Sequence, residues 1–159
     1  MAVTIKKVGV LGAGQMGNGI AHVAALAGFD VVLNDVSADR IKSALATING
    51  NLSRQVAKKA ISEDTRKAVL DRIASSTSFD ELSDCDLVIE TAVEKEDTKR
   101  KIFHDLCKAL KPEAIIASNT SSISITRLAA STDRPEHFIG MHFMNPVPVM
   151  QLVELIRGI

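Results

Sequence analysis

The chain has 159 residues, of which 46% are hydrophobic and 24% charged, and its 19 basic side chains balance its 19 acidic ones. This composition is typical of one globular domain and excludes a disordered chain. The zero formal net charge argues against a nucleic-acid-binding protein, which normally carries a basic excess.

The cellular setting follows from the cysteines and the absence of targeting signals. Cys85 and Cys107 are the two cysteines, too few for a disulfide framework, which favours a reducing compartment. The first predicted strand begins near Lys6, so no secretory signal fits ahead of it. No stretch approaches the roughly 20 apolar residues that span a bilayer. We therefore expect a cytoplasmic protein that contacts no membrane, and the sequence predicts no metal site.

The first half of the chain alternates apolar runs with helical patterns. Buried strands are predicted over 7–11 and 30–34, with a helix over 16–27 between them that ends at Gly28. Ser37 or Asp39 is placed to cap a second helix that continues to about residue 59. Its later half has little apolar periodicity, which is typical of a tail that projects from the domain. Ser62 is expected to cap a further helix to about residue 73.

The second half continues the alternation. Strands are predicted over 86–90, 114–117 and 138–143, and 152–156 is either another strand or the start of an element that continues elsewhere. A helix is predicted over 95–110, and Ser124 is placed to cap a short helix to about residue 130. Such alternation predicts one α/β domain over residues 1–159, a doubly wound, mostly parallel sheet with helices on both faces.

The turn after the first strand carries a glycine motif. It reads Gly12-Ala13-Gly14-Gln15-Met16-Gly17. Gly12 allows a tight turn, Gly14 lets a pyrophosphate approach the backbone, and Gly17 lets the helix pack close to the strand. The helix N-terminus adds free N–H groups for the phosphates. With a strand before it and a helix after it, the motif predicts a Rossmann dinucleotide-binding site; the alternative is a glycine turn used only for packing.

An acid follows at the end of the second strand. Asp35 lies 23 residues beyond Gly12, where a carboxylate accepts hydrogen bonds from ribose hydroxyls. The carboxylate would repel a 2′-phosphate, so we predict NAD rather than NADP. Arg40 lies five residues further on and is the one nearby cation that could swing toward a 2′-phosphate. In the packing alternative, Asp35 simply caps the next helix.

Three later strands also end in polar residues. Glu90 to Glu94 follow one strand, Ser118 to Ser122 follow the next, and His142 ends a third. The carboxyl ends of parallel strands meet at one edge, where open α/β sheets bind ligands. Alone, such a loop usually caps a helix and such a histidine is usually structural. Their convergence beside a nucleotide site is what predicts an active site.

A histidine and a carboxylate flank a proline-rich bend near the end of the sequence. Pro146 and Pro148 restrict the chain between His142 and Glu154 and favour a return of the carboxylate toward the imidazole. Histidine changes protonation near neutral pH and can take a proton from an alcohol. A buried carboxylate beside it fixes the tautomer that leaves the working nitrogen free. The pair predicts alcohol oxidation with a nicotinamide as hydride acceptor; a structural core pair is the alternative.

These motifs resemble a known family. The glycine motif, Ser118-Asn119-Thr120-Ser121-Ser122 and the stretch from Gly140 to Met150 resemble the short-chain L-3-hydroxyacyl-CoA dehydrogenases, the bacterial 3-hydroxybutyryl-CoA dehydrogenases most of all. The resemblance covers essentially the whole chain. It implies conversion of (S)-3-hydroxyacyl-CoA to 3-oxoacyl-CoA with hydride transfer to NAD, in fatty-acid β-oxidation or butanoate metabolism. It also implies a second, all-helical domain that completes the site and forms a homodimer, and nothing in this sequence corresponds to that domain.

The resemblance further implies roles for individual residues. His142 is the general base, Glu154 holds its imidazole, and Ser121 hydrogen-bonds the substrate oxygen at the reacting carbon. Asn51 and Lys58 stand at positions that resemble coenzyme A contacts, although Lys58 has the alternative of a solvated helix end. The implied cofactor contacts are Gly12, Gly14, Gln15, Met16, Gly17, Asp35, Ala92, Glu94, Lys99, Ser121 and Asn145.

Two other functions compete with this prediction. One is an NAD-binding module with little or no turnover, because the helical domain is missing; we expect the chain alone to bind cofactor and to turn over very slowly. The other is a dehydrogenase of a small β-hydroxy acid without coenzyme A. Such relatives often use a lysine base, so the pairing of His142 with Glu154 argues against it.

Overall fold

The computed structural model describes residues 2–159. They form one seven-stranded sheet in the order β3-β2-β1-β4-β5-β6-β7. The strands are β1 (Lys7–Leu11), β2 (Asp30–Asn34), β3 (Ile73–Ser76), β4 (Leu87–Glu90), β5 (Ile115–Ser118), β6 (Phe138–Phe143) and β7 (Val153–Ile156). The α-helices are α1 (Gln15–Leu26), α2 (Ala38–Ala57), α3 (Glu63–Asp71), α4 (Glu96–Ala109) and α5 (Ile125–Ala129).

All neighbouring strands pair in parallel except β6 and β7, which are antiparallel. β1 lies between β2 and β4, so the chain winds outward in one direction from β1 and then in the other. The direction reverses between β1 and β4, and ligands bind at the carboxyl ends of the strands at such a point. The predicted fold class is confirmed.

Apolar side chains cover both faces of the sheet. Ile20, Ile48 and Val69 bring α1, α2 and α3 against one face. Phe103 and Leu128 bring α4 and α5 against the other. All five are fully buried, and each such side chain contributes about 1.5–3 kcal/mol through its removal from water. The two layers hold the strand ends, and therefore the loops after them, in fixed positions.

The helix boundaries follow the capping residues that the sequence offers. The hydroxyls of Ser37, Ser62 and Ser124 accept hydrogen bonds from the backbone N–H groups three residues on, at the starts of α2, α3 and α5. Ser37, and not Asp39, is therefore the cap of α2. Gly28 follows α1 with φ of +104°, a conformation that suits glycine at the end of a helix.

β3 is an element that the sequence patterns did not predict. The helix expected to reach residue 73 ends at Asp71 because the strand Ile73–Ser76 begins there and pairs with β2. The strand reads Ile-Ala-Ser-Ser and is nowhere fully buried. It lies at the edge of the sheet, so it needs no apolar run and gives no strand signal.

The later half of α2 packs against the domain instead of projecting from it. Leu52 is fully buried, and the Gln55 amide oxygen lies 3.1 Å from Nε2 of His22 on α1. Among the polar side chains of this half there are thus one buried apolar residue and one partly buried hydrogen bond to α1. Sparse apolar periodicity was a wrong guide to the position of this segment.

Candidate active site

The glycine turn has the shape that its three glycines predict. Gly12 has φ of +105°, and its N–H donates to the Asn34 carbonyl oxygen at 2.7 Å, which ties the turn to the end of β2. A methyl group at Gly17 would overlap the Gly12 carbonyl oxygen, whereas a methyl group at Gly14 would meet nothing within 4 Å. Close helix packing thus rests on Gly17, while Gly14 opens onto free space where a pyrophosphate can approach.

The N-terminus of α1 is open to an anion. Among the residues that the structure describes, no side chain caps this end of the helix, which begins after Gly14. The first N–H groups of an uncapped helix are available to a phosphate, and the helix dipole favours negative charge there. Gln15, Met16 and Gly17 form this first turn.

Asp35 braces the glycine turn as well as ending β2. Its two carboxylate oxygens accept hydrogen bonds from the backbone N–H groups of Ala13 and Ser37, each at 2.9 Å. The Arg40 Nε lies 3.5 Å from the same carboxylate. The sequence predicted a ribose contact for Asp35 but not the bond to Ala13, because no local pattern reports a partner 22 residues away.

A buried charged cluster lies beneath the loop after β4. The Lys99 ammonium donates to Glu90 Oε2 at 2.6 Å and to the Ala92 carbonyl oxygen at 3.2 Å. Glu90 also accepts from the Ala92 N–H at 2.6 Å and from the Ser118 hydroxyl at 2.7 Å. Lys99, Glu90 and Ser118 are all buried. Lys99, predicted as a cofactor contact, therefore bonds to the backbone of the loop after β4. Glu90 and Ser118 were predicted only as strand-end residues, and their hydrogen-bonded network with Lys99 was not predicted.

A second bridge joins the loops after β4 and β5. The carboxylate of Glu94 accepts hydrogen bonds from the Thr120 hydroxyl and from the Ser121 N–H, the latter at 3.3 Å. Ser121 is exposed and Thr120 is buried. Glu94, a predicted cofactor residue, thus fixes the loop that carries Ser121.

The structure brings His142 and Glu154 together through the register of β6 and β7. They are directly opposite each other in the antiparallel pair, with Nδ1 and Oε2 separated by 3.5 Å. This is an ion-pair distance, longer than an ordinary N–H···O hydrogen bond. Glu154 was expected to be buried, but its side chain is 52% exposed, against 24% for His142, because β7 is an edge strand. With Nδ1 facing Glu154, Nε2 is the nitrogen left for a substrate.

The segment after His142 is tied to β5. The Asn119 side-chain oxygen accepts a hydrogen bond from the Phe143 N–H at 2.8 Å. Asn145 follows on an exposed turn, with a cis peptide bond between it and Pro146. The sequence predicted no individual role for Asn119, and this hydrogen bond places its side chain against the residue that follows His142.

The two residues predicted to contact coenzyme A lie on α2. Asn51 is partly buried and accepts a hydrogen bond from Arg54, and Lys58 is exposed just past the end of the helix. Within residues 2–159, no hydrogen bond connects either side chain with the residues that follow the carboxyl ends of the strands. Their role stays a prediction.

The remaining titratable candidates are structural. His22 is fully buried, and burial lowers its pKa. Burial raises the pKa of the Cys85 thiol to about 11, which keeps it protonated and unreactive at neutral pH. Residues 2–159 contain no group of three or more His, Cys, Asp or Glu side chains suited to a metal ion. No helix in the same range has both the length and the apolar character needed to cross a membrane.

Comparisons with known proteins identify related sequences. The family described as "3-hydroxyacyl-CoA dehydrogenase, NAD binding domain" matches residues 7–159. A 3-hydroxybutyryl-CoA dehydrogenase of Bradyrhizobium diazoefficiens is 76% identical over all of this chain and 54% of its own length. The fatty acid oxidation complex subunit alpha of Acinetobacter baylyi is 42% identical over 97% of this chain and 22% of its own.

A solved structure shows the same fold. The crystal structure of (S)-3-hydroxybutyryl-CoA dehydrogenase from Ralstonia eutropha superposes with a TM-score of 0.96 at 50% identity, and the match covers 98% of this chain and 55% of that one. The chain therefore spans about half the length of these 3-hydroxybutyryl-CoA dehydrogenases.

Proposed function

The chain belongs to the family of 3-hydroxyacyl-CoA dehydrogenase NAD-binding domains, and from that premise we propose that it oxidises (S)-3-hydroxyacyl-CoA to 3-oxoacyl-CoA. The cofactor is NAD, and 3-hydroxybutyryl-CoA is the proposed substrate because the 76% identical relative carries that name. The observation that carries the proposal is the pairing of His142 with Glu154. β6, which carries His142, ends at the same edge of the sheet as β1, which leads into the glycine turn.

Proton transfer is the step that this chain's own residues perform. NAD, when bound, accepts the hydride from the substrate carbon that bears the hydroxyl. His142 Nε2 takes the hydroxyl proton, and the carboxylate of Glu154, 3.5 Å from Nδ1, stabilises the imidazolium that forms. Ser121 donates from its exposed hydroxyl to the substrate oxygen. In the reverse direction His142 returns the proton to the carbonyl oxygen.

The remaining predicted contacts surround the cofactor and the coenzyme A group. The N–H groups at the start of α1 would hold the pyrophosphate, Asp35 would accept from the adenosine ribose, and the loop with Ala92 and Glu94 would border the nicotinamide half. We propose that Asn145 contacts the nicotinamide from its exposed turn, that Lys99 acts through the loop it supports, and that Asn51 and Lys58 bind coenzyme A. Assembly as a homodimer through a helical domain also stays a prediction.

A second function is favoured by one specific observation. The Glu154 side chain is 52% exposed, and a carboxylate in contact with water stabilises an imidazolium less than a buried one does. A domain with this geometry binds NAD but turns over slowly until something excludes water from the pair. The NAD-binding module is therefore the alternative proposal for the chain alone.

The test is a turnover assay with matched histidine variants. NADH oxidation by acetoacetyl-CoA is measured for the chain, for His142→Gln and for His104→Gln, which changes an exposed histidine on α4. NADH affinity is measured by fluorescence titration for all three.

The dehydrogenase proposal predicts turnover that His142→Gln abolishes and His104→Gln preserves, with NADH affinity unchanged in both. NADH binding without turnover in the unaltered chain supports the module alternative. Turnover that survives His142→Gln would refute the role of the histidine.

A further inference from the structure

The contact that leads beyond the proposed chemistry lies on the second turn of α1. Gly19 is buried there, and Val147 packs directly on it. A methyl group at Gly19 would come within 2.7 Å of Val147 Cβ, 3.1 Å of Val147 Cγ2 and 3.4 Å of Pro148 Cδ. Carbon atoms in ordinary contact lie about 3.5–4.0 Å apart. Only a glycine at position 19 therefore leaves room for Val147, and we call this contact between the Gly19 Cα and Val147 the seat.

Val147 is an anchor and not a loose loop residue. It is 4% exposed and belongs to the core cluster on the face of the sheet covered by α1, α2 and α3. Its neighbour Asn145, two residues earlier, is exposed. The chain from Phe143 to Val147 therefore enters the core at its far end while Asn145 stays exposed.

The near end of the same segment is also fixed. The Phe143 N–H donates to the Asn119 side chain at 2.8 Å, and Phe143 follows His142 directly. The segment is thus held by β5 at one end and by α1 at the other. The positions of His142 and Asn145 depend on both contacts.

The helix that provides the seat also provides the phosphate site. Gly17, two residues before Gly19, is buried where a methyl group would overlap the Gly12 carbonyl oxygen, so α1 packs directly against the turn after β1. One rigid helix therefore sets both the cofactor pyrophosphate and the segment that follows the catalytic histidine. Any change in the seat alters the position of the segment relative to the cofactor.

We propose that Gly19 is a positioning residue: its missing side chain seats Val147 and thereby sets His142 and Asn145 against the cofactor held at the N-terminus of the same helix. The catalytic significance of the inference rests on the proposed dehydrogenase function, but its test does not require turnover. Displacements of about 1 Å in a reacting group can reduce a rate on the order of 100-fold, so a seat that shifts by a few tenths of an ångström has a measurable effect.

The test first adds a methyl group at Gly19 and then removes the opposing side-chain atoms of Val147. Gly19→Ala adds the clashing methyl group, and Gly19→Ala with Val147→Gly removes the Val147 Cβ and Cγ2 atoms that it meets. Gly50→Ala is the matched control, because Gly50 also lies inside a helix and its added methyl group would meet only the tip of Arg54 at 3.9 Å. Val147→Ala, which removes the Cγ2 atom that faces Gly19, tests the same contact from the other side should Gly19→Ala fail to fold, and it too should move both signals.

The readout is the NMR spectrum with bound NADH. The His142 ring and Asn145 side-chain amide signals are assigned by their loss in His142→Gln and Asn145→Ala. We expect Gly19→Ala to move both signals, the double variant to restore them, and Gly50→Ala to leave them in place. The NADH dissociation constant should stay within about threefold throughout, because the phosphate-binding turn is unchanged. Where turnover is measured, kcat should fall about tenfold in Gly19→Ala and recover in the double variant.

Unmoved signals in Gly19→Ala, or signals that the double variant fails to restore, would overturn the proposal. A loss of NADH affinity equal to the loss of kcat would also overturn it, since the seat would then serve cofactor binding alone. The spectrum needs no catalysis. Failure of the dehydrogenase function, seen as turnover that survives His142→Gln, is therefore distinguishable from failure of the seat.

Discussion

Two charged pairs lie at the carboxyl edge of the sheet, and they differ in burial and in length. The Lys99 ammonium and the Glu90 carboxylate are 2.6 Å apart, with side chains 2% and 0% exposed. The His142 imidazole and the Glu154 carboxylate are 3.5 Å apart, with side chains 24% and 52% exposed. The first pair is closed to solvent and the second is open to it.

The difference separates support from chemistry. Glu90 accepts hydrogen bonds from Lys99, Ala92 and Ser118, so a change of protonation there would break a buried network. His142 and Glu154 have fewer fixed partners and are partly exposed, so the proposed proton transfer at this pair would disturb little else. We infer that the Lys99–Glu90 pair fixes the loops and that the His142–Glu154 pair takes part in the proposed proton transfer.

The largest expected effect comes from breaking the buried pair. Lys99→Met leaves the Glu90 carboxylate buried without its cation, which should destabilise the domain by about 3–5 kcal/mol. Urea unfolding followed by circular dichroism measures this loss. We also expect weaker NADH binding, because the loop from Thr91 to Glu94 loses its support.

Two controls sharpen that result. Glu90→Gln combined with Lys99→Met removes both charges and should recover much of the lost stability. Lys101→Met changes an exposed lysine on the same helix and should stay within about 0.5 kcal/mol of the unaltered chain. Equal effects of Lys99→Met and Lys101→Met would show that the buried pair supports nothing.

Asp35 is an intermediate case, a buried carboxylate bonded mainly to backbone. Asp35→Ala leaves the N–H groups of Ala13 and Ser37 without their acceptor, which should cost about 1–3 kcal/mol. NADH affinity should fall about tenfold, because a hydrogen bond to a charged group is worth about 1.5–3 kcal/mol. The preference over NADPH should relax, since Arg40 is then free to meet a 2′-phosphate.

Titrations with NADH and NADPH measure both changes. Asp39→Ala, which removes an exposed carboxylate in the first turn of α2, is the control and should alter neither affinity. Unchanged affinities for both cofactors in Asp35→Ala would remove Asp35 from the cofactor site.

Sequence reasoning predicted the parts of the fold whose signals are local. The strands over 7–11, 30–34 and 138–143 were placed to the residue, since the first two are compact apolar runs and the third ends at a recognisable motif. β3 was missed because a polar edge strand has no apolar run. The packing of the α2 tail was missed because one buried leucine in a polar stretch gives no periodicity.

The site divides in the same way. The glycine turn is local in sequence, and the partnership of His142 with Glu154 follows from a short bend between adjacent strands. The partnership of Lys99 with Glu90 did not follow, since lysine is almost always exposed and a strand-to-helix contact has no fixed spacing. The bond from Phe143 to Asn119 and the contact of Val147 with Gly19 join distant parts of the chain, so only the fold reveals them.

The buried His22 should make a smaller, pH-dependent contribution to the free energy of unfolding. Burial lowers the pKa of His22 in the folded state from its ordinary value of 6.5. The unfolded chain therefore binds the proton more tightly, and stability present above pH 6.5 should be lost as the pH falls from there toward the folded pKa. His22→Gln should reduce this slope, and His104→Gln, at an exposed position, should not. Unfolding free energies measured between pH 5 and 8 with the same slope in all three proteins would contradict the assignment.

The smallest effect on stability is expected at the His142–Glu154 pair. This effect decides whether the two charged pairs differ in role. Glu154→Gln removes a charge that is half in water, so the free energy of unfolding should change by less than about 1 kcal/mol. Turnover with acetoacetyl-CoA should nevertheless fall, because the imidazolium loses the carboxylate that stabilises it. The two measurements together separate the roles of the pairs: Lys99→Met acts mainly on folding and Glu154→Gln mainly on rate. A stability loss in Glu154→Gln as large as that in Lys99→Met would mean that both pairs are structural.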